Sequence, residues 1–289
     1  MSKQIGCIGL GKMGQNMALR LQKKGWQVFS FDVNGKGNAK SIEELVNSLA
    51  TPRIIWLMVP AGKPVDNVLQ ELTPLLNRSD VVVDGGNSFY EDSIKRAKKL
   101  AARGIYFLDV GVSGGPSGAR NGACLMIGGE KAIFEKYEEF FRDLATPEGY
   151  GYMGEFGAGH FVKMVHNGIE YGMMQAIAEG FAMMKKSPFK LNLQEIARLY
   201  NHGSVVESRL VGWLENAFEQ FGDDLKNVSG SVGHTGEGEW TVKTAKKFGV
   251  DVPVIKNSVK FRVDSAKRPS YTGKILTALR NQFGGHNVK

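Results

Sequence analysis

The glycine-rich segment Gly9-Leu10-Gly11-Lys12-Met13-Gly14 constrains this chain more than any other, because of what stands on either side of it. Ile5-Gly6-Cys7-Ile8 before it reads as a short buried strand, and Asn16-Met17-Ala18-Leu19-Arg20-Leu21 after it as a helix. In that context the first glycine permits a tight turn, the second lets a pyrophosphate approach the backbone, and the third lets helix pack on strand. The phosphates then meet the free N–H groups of a helix N-terminus. A second apolar run, Val28-Phe29-Ser30-Phe31, ends at Asp32, whose carboxylate can accept hydrogen bonds from the adenosine ribose and would repel a 2′-phosphate. Val33 and Asn34 follow, with no arginine to clamp such a phosphate, so NAD is the expected cofactor; Lys36 is near enough to keep NADP open.

Further short apolar runs at residues 54–59, 81–84 and 106–110 read as strands, and helical periods such as residues 91–103 lie between them. This alternation implies a parallel sheet covered by helices. Ligand-contacting groups in such sheets lie beyond the strand C-terminal ends. Two loops fit, Val59-Pro60-Ala61-Gly62 and Gly85-Gly86-Asn87-Ser88, with Val59, Pro60 and Asn87 as candidate contacts. A third loop, residues 112–122, is dense in glycine, so that backbone amides around Gly114 and Gly115 can converge on an anion while Ser113 adds a hydroxyl. After about Gly159 strand signals vanish, and helical stretches run on with breaks at Ser187-Pro188, residues 222–224 and residues 230–238. The expected fold is α/β, an N-terminal Rossmann-type doubly wound sheet over residues 1–158 followed by an all-α domain over residues 159–289.

Lys163-Met164-Val165-His166-Asn167-Gly168-Ile169-Glu170-Tyr171 adds chemistry to that frame. On a helix with Lys163 at zero, His166 falls at about 300°, Asn167 at about 40°, Glu170 at about 340° and Tyr171 at about 80°. An amine, an imidazole, an amide, a carboxylate and a phenol thus share one side. Val162, Met164, Val165, Ile169, Met173 and Ile177 around them suggest a largely buried helix, and buried polar groups must be paired or functional.

The formal net charge of +8 admits either nucleic acid or a small acidic substrate as partner. The basic residues are scattered over helical faces, as at Lys95-Arg96-Ala97-Lys98-Lys99, without a recognition-helix or aromatic-interleaved pattern. A small anion is therefore favoured over nucleic acid. Cys7 and Cys124 lack metal-ligand spacing and read as small buried packers, so no metal is expected. No apolar run spans a bilayer or reads as a secretory signal, which points to the cytoplasm and away from membranes.

Taken together, these blocks resemble the 3-hydroxyacid dehydrogenases and, within them, the 6-phosphogluconate dehydrogenase family in its short form. Residues 9–14 and Val112-Ser113-Gly114-Gly115 match the broader group; His166-Asn167-Gly168-Ile169-Glu170-Tyr171 and the tail from Arg280 to His286 match the phosphogluconate member. One departure stands out. Where the long form carries a basic residue before the Gly-x-Gly-x-Trp-Thr block, this chain has Thr235, followed by Gly236-Glu237-Gly238-Glu239-Trp240-Thr241.

The resemblance implies oxidative decarboxylation of 6-phospho-D-gluconate to ribulose 5-phosphate, with NAD (or NADP) reduced, in the pentose phosphate pathway. Lys163, if burial keeps part of it neutral, would take the carbon-3 hydroxyl proton and then stabilise the enolate as carbon dioxide leaves. Glu170 would protonate carbon 1. Asn167 and His166 would orient the hydroxyls and carboxylate, with Asn87, Ser113, Gly114 and Gly115 as further substrate contacts. Phosphate would fall to Tyr171, Arg262, Arg280 and His286. The resemblance also implies a homodimer or homotetramer whose tail reaches a neighbouring site. Two alternatives stay open: an NAD-dependent dehydrogenase of an unphosphorylated 3-hydroxy acid, and a non-catalytic NAD-sensing protein.

Overall fold

The structure, a computed structural model, describes residues 3–289. The chain divides into two compact units, Met1–Met164 and Val165–Lys289. The first contains β1 (Gln4–Ile8), α1 (Lys12–Lys23), β2 (Gln27–Phe31), α2 (Ile42–Asn47), β3 (Ile54–Leu57), α3 (Lys63–Leu72), β4 (Val81–Asp84) and α4 (Tyr90–Ala101). It continues through β5 (Tyr106–Ser113), α5 (Gly115–Asn121), β6 (Ala123–Gly129), α6 (Lys131–Lys136), α7 (Glu138–Leu144) and β7 (Ala145–Gly154). Helix α8 (Ala158–Lys186) begins here and runs on into the second unit.

The strands form one sheet in the order β2-β1-β3-β4-β5-β6-β7. Neighbours are parallel except for β5 and β6, which pair antiparallel. Both faces are covered, which explains the unbroken apolar runs of β3 and β4. In β3, Ile54 and Trp56 enter the core on one face and Ile55 and Leu57 the core on the other, as the period of two requires. Trp56, 1% exposed, meets Phe140 edge to face at 5.4 Å; burial of a large side chain contributes roughly 1.5–3 kcal/mol. Helix α1 buries Gly14, Met17, Ala18 and Leu21, one stripe at helical spacing, and carries Arg20 and Lys23 in its last turn, opposite the dipole's negative end.

Three expectations need correction here. The segment 112–122 is not a loop: Val112 and Ser113 end β5, Gly114 turns the chain at φ +124°, and Gly115–Asn121 is helical. Strands β6 and β7 went unread because their glycines and polar residues dilute the apolar signal. Cys7 is buried, but Cys124 is exposed, between buried Ala123 and Leu125 at the start of β6.

The second unit holds the rest of α8 with α9 (Leu193–Tyr200), α10 (Arg209–Phe221), α11 (Glu237–Lys247), α12 (Pro253–Ser265) and α13 (Tyr271–Gly284). Asn192, Ser208 and Ser270 cap α9, α10 and α13 through side-chain oxygens that accept backbone N–H groups; each such cap is worth about 1 kcal/mol. The core gathers Met174, Ala178, Phe181, Leu214, Phe218, Ile275, Leu276 and Leu279. The expectation of a largely buried α8 is also corrected. Met164, Tyr171, Met174, Ala178 and Phe181 form the packed stripe, whereas Ile169 and Met173 are 53% and 45% exposed on the opposite face. Among the described residues no helix is long and apolar enough to cross a membrane.

Candidate active site

The ends of β1, β3 and β4 bring the expected cofactor residues together in the first unit. Gly9 adopts φ +94°, and a Cβ there would lie 2.6 Å from the Met58 carbonyl oxygen; at Gly14 it would lie 2.1 Å from that of Gly9. Both glycines are demanded by the turn and by the seating of α1 on the sheet. At Gly11 an added Cβ would meet nothing within 4 Å. The fold itself does not need a glycine there, so the open approach suits a ligand pressed against the backbone. Asp32 accepts the N–H of Leu10 at 2.7 Å and that of Asn34 at 2.8 Å. These bonds, led by that from Leu10, hold its carboxyl below the usual range, with Lys36 adding attraction. An anionic carboxylate thus links the glycine turn to the end of β2, with Val33 87% exposed beside it. Lys12 is exposed and Met13 half-buried at the start of α1.

The loops after β3 and β4 share a support that sequence reasoning missed. Fully buried Asp84 accepts the Gly86 N–H at 3.0 Å and the Ser88 hydroxyl at 2.7 Å. Arg96, 4% exposed on α4, reaches both loops. Its signal was an arginine at a core position of the α4 stripe, between Ser93 and Ala97 and Leu100. Asn87 itself is exposed, as is Pro60, while Val59 is half-buried.

Lys163 is positioned by β5. A Cβ on Gly111 would fall 2.3 Å from the Lys163 Cβ, so strand and helix touch where only glycine fits. Asp109, fully buried, accepts the Gly157 N–H at 2.7 Å and the His160 N–H at 2.9 Å, using both oxygens on the first turn of α8. A carboxylate inside an otherwise apolar strand was the available signal. Buried His160 meets the Ser93 hydroxyl at 2.7 Å through Nδ1. Lys163 is half-buried, as are Ser113, Gly114 and Gly115. Gly114 and Gly115 both take positive φ, a sequence of conformations that only glycine adopts without strain.

In the second unit His166, Asn167, Glu170, Tyr171, Arg262 and Arg280 cluster, whereas His286 is placed against Phe283. His166 Nδ1 lies 3.1 Å from Asn167 Oδ1 and 3.8 Å from Glu170 Oε2. Tyr171 is buried, its ring against Gly238, where a Cβ would come within 2.7 Å of it. The Arg262 guanidinium stacks on that ring, 3.5 Å from the centroid, and is 2% exposed. Its Nη2 touches the Met174 sulfur at 3.5 Å, and its Nε has no hydrogen-bond partner among the described residues. Burial pulls the Arg262 pKa down to about 10 and lowers that of Arg280, with Tyr171, Glu170 and Glu237 acting on both. Arg262 therefore stays cationic near neutral pH. Burial raises the Tyr171 phenol, so it remains protonated.

Glu237 was also missed. It is 5% exposed and accepts the hydroxyl of Thr235, the residue at the departure from the long form, at 2.6 Å. The tail is docked on its own chain: Phe283 packs on Trp213 at 5.4 Å, His286 stands edge-on to Phe283, and the Val288 carbonyl accepts the Ser229 N–H. Arg280, on α13, is among the charges that act on the Tyr171 phenol, opposing the rise that burial causes.

Comparison with known proteins adds an independent line. Residues 4–154 match the family model described as the NAD binding domain of 6-phosphogluconate dehydrogenase, and residues 159–282 match that of its C-terminal domain. The Bacillus subtilis protein YqeC is 45% identical, with 98% of each chain covered. An NAD(+)-dependent, decarboxylating 6-phosphogluconate dehydrogenase of Haloferax volcanii is 41% identical over 99% of this chain and 98% of its own length. Among solved structures, the Plasmodium falciparum 6-phosphogluconate dehydrogenase, studied in its apo form and in complexes with NADP+ and with 6-phosphogluconate, superposes with a TM-score of 0.81 at 29% identity. That match covers 92% of this chain and 62% of the longer one. A Mycobacterium tuberculosis 3-hydroxyisobutyrate dehydrogenase, at 19% identity and a TM-score of 0.73 over 96% of this chain and 99% of that one, shares the fold.

Proposed function

Because this chain belongs to the 6-phosphogluconate dehydrogenase family, we propose that it oxidises 6-phospho-D-gluconate and releases carbon dioxide and ribulose 5-phosphate. The single observation that carries the reading is the buried Arg262 on the Tyr171 ring, its Nε unpartnered and Arg280 alongside. The buried Arg262 and the half-buried Arg280 guanidinium groups match a phosphate, whose oxygens they bind in a fork. A dehydrogenase of an unphosphorylated 3-hydroxy acid has no use for them, and a mere NAD sensor has none for the Lys163/Glu170 pair.

Residues 1–158 are assigned the dinucleotide and residues 159–289 the substrate phosphate and subunit association. Gly9, Leu10, Gly11, Lys12, Met13 and Gly14 would hold the pyrophosphate, Asp32, Val33 and Asn34 the adenosine, and Val59, Pro60 and Asn87 the nicotinamide end. When bound, NAD supplies the hydride acceptor for carbon 3. Lys163 takes the proton of the carbon-3 hydroxyl and then, as an ammonium, stabilises the oxyanion that forms as carbon dioxide departs. Glu170, two turns further along α8, protonates carbon 1 of the enediol. Asn167 and His166 orient the hydroxyls, and Ser113, Gly114, Gly115 and Asn87 the carboxylate end.

NAD is preferred over NADP on the strength of the Asp32 carboxylate, and the Haloferax relative is named as NAD(+)-dependent. A homodimer or homotetramer in the cytoplasm completes the reading, with exposed Ile169 and Met173 available for association. The tail from Arg280 to His286 is assigned to the site of a neighbouring subunit, as the resemblance implies. The test is stoichiometric. With substrate labelled at carbon 1, one labelled carbon dioxide should appear per NADH, and gluconate should be turned over far more slowly. Equal rates with gluconate, or NADH without carbon dioxide, would contradict the proposal.

A further inference from the structure

A single buried guanidinium spans two of the loops assigned to the cofactor. Arg96 Nε donates to Asp66 Oδ1 at 2.8 Å and Nη2 to the Gly62 carbonyl at 3.1 Å, both beyond β3. Its Nη1 donates to the Ser88 hydroxyl at 3.3 Å and stands 3.6 Å from Asp84 Oδ2, both at the end of β4. The two loops already abut, since a Cβ on Gly86 would come within 2.9 Å of the Val59 carbonyl oxygen. All three nitrogen positions of the rigid fork are used, in three directions. An ammonium on a flexible stem cannot reproduce that geometry. Asp84, fully buried, needs the cation nearby, and Ser88 passes the restraint to the residue beside it, Asn87.

We propose that Arg96 is a positioning residue for the reaction: it sets the spacing between Val59-Pro60 and Asn87, and so the seat of the nicotinamide end, without touching the cofactor. The proposal rests on the reading above that these loops bind that end of NAD. Support from outside the immediate contacts is of the kind that tunes a site through the groups it holds.

The test compares Arg96→Lys and Asp66→Asn with Asn87→Ala, measuring the dissociation constant of NADH by fluorescence and both Michaelis constants. Asp66 is 58% exposed at its side chain, so its replacement leaves the core intact and guards against a result due to unfolding. A merely structural role would change both Michaelis constants together. The clamp predicts that NADH binding and the Michaelis constant for NAD worsen by about 10-fold in Arg96→Lys and about 3-fold in Asp66→Asn, with that for phosphogluconate moving less than about 2-fold. If Asn87→Ala weakens NADH binding while the other two variants bind it like the parent, the clamp is wrong and the loop assignment stands. If Asn87→Ala binds NADH normally, the loop assignment fails and takes the proposal with it.

Discussion

Replacing Gly111 with alanine tests, with one methyl group, whether Lys163 must be where β5 holds it. The new Cβ would sit 2.3 Å from the Lys163 Cβ and 3.0 Å from both the Lys163 Cγ and the Gly159 carbonyl oxygen. Carbon atoms settle at about 3.5–4.0 Å, so strand and helix must part by at least about 1 Å. The helix start cannot slide freely, because Asp109 holds the Gly157 and His160 amides and a Cβ on neighbouring Gly159 would come within 2.4 Å of two carbonyl oxygens. The strain falls on the position of the lysine. Overpacking of this kind costs about 1–3 kcal/mol, which leaves a domain folded. A displacement of about 1 Å at a reacting group costs on the order of 100-fold in rate. The assay is the turnover number for NADH formation from phosphogluconate, beside the NADH dissociation constant and the melting temperature. We expect kcat to fall about 100-fold while NADH binding changes less than 2-fold, since the glycine turn at β1 is untouched. A folded variant with kcat within about 3-fold of the parent would refute the reasoning.

Three further outcomes follow from the site. Asp32→Ala should weaken NAD more than NADP, narrowing the preference; an unchanged ratio of the two Michaelis constants would remove Asp32 from cofactor selection. Glu170→Gln should leave hydride transfer in place but slow solvent-proton uptake at carbon 1 by about 100-fold or more, so deuterium incorporation at the parent's rate would exclude it. Arg280→Ala should raise the Michaelis constant for phosphogluconate about 10-fold or more. Mixing that variant with Lys163→Met subunits, unfolded and refolded together, should restore activity towards one quarter of the parent rate if Arg280 serves a neighbour; no recovery would show that it serves its own chain.

Much of the fold was legible because local signals agreed with one another. The turn at Gly9–Gly14, the apolar runs of β3 and β4 and the helical periods past Gly159 each carry a period set by backbone geometry. What escaped reading depended on partners distant in sequence. Nothing near Leu125 or Tyr150 says that β6 pairs antiparallel with β5, or that these two residues pair with each other across β6 and β7. The burial of α8 was overread for a related reason: Ile169 and Met173 lie on the face opposite the packed stripe. At the site, the polar residues of α8 were legible from helical spacing and Arg262 and Arg280 from the resemblance. Arg96, Asp109 and Glu237 were not. Arg96 acts through Ser88, 8 residues away, and Asp109 through Gly157 and His160, 48 and 51 residues away, and only the fold brings such pairs together.

The central claim is that the Lys163 amine moves the proton that drives oxidation and then decarboxylation. Lys163→Met tests it most directly, with the NADH dissociation constant and the single-turnover rates of NADH formation and carbon dioxide release measured on the same folded protein. The account predicts parental NADH binding with both rates lower by about 1,000-fold or more. Turnover within about 10-fold of the parent would contradict it.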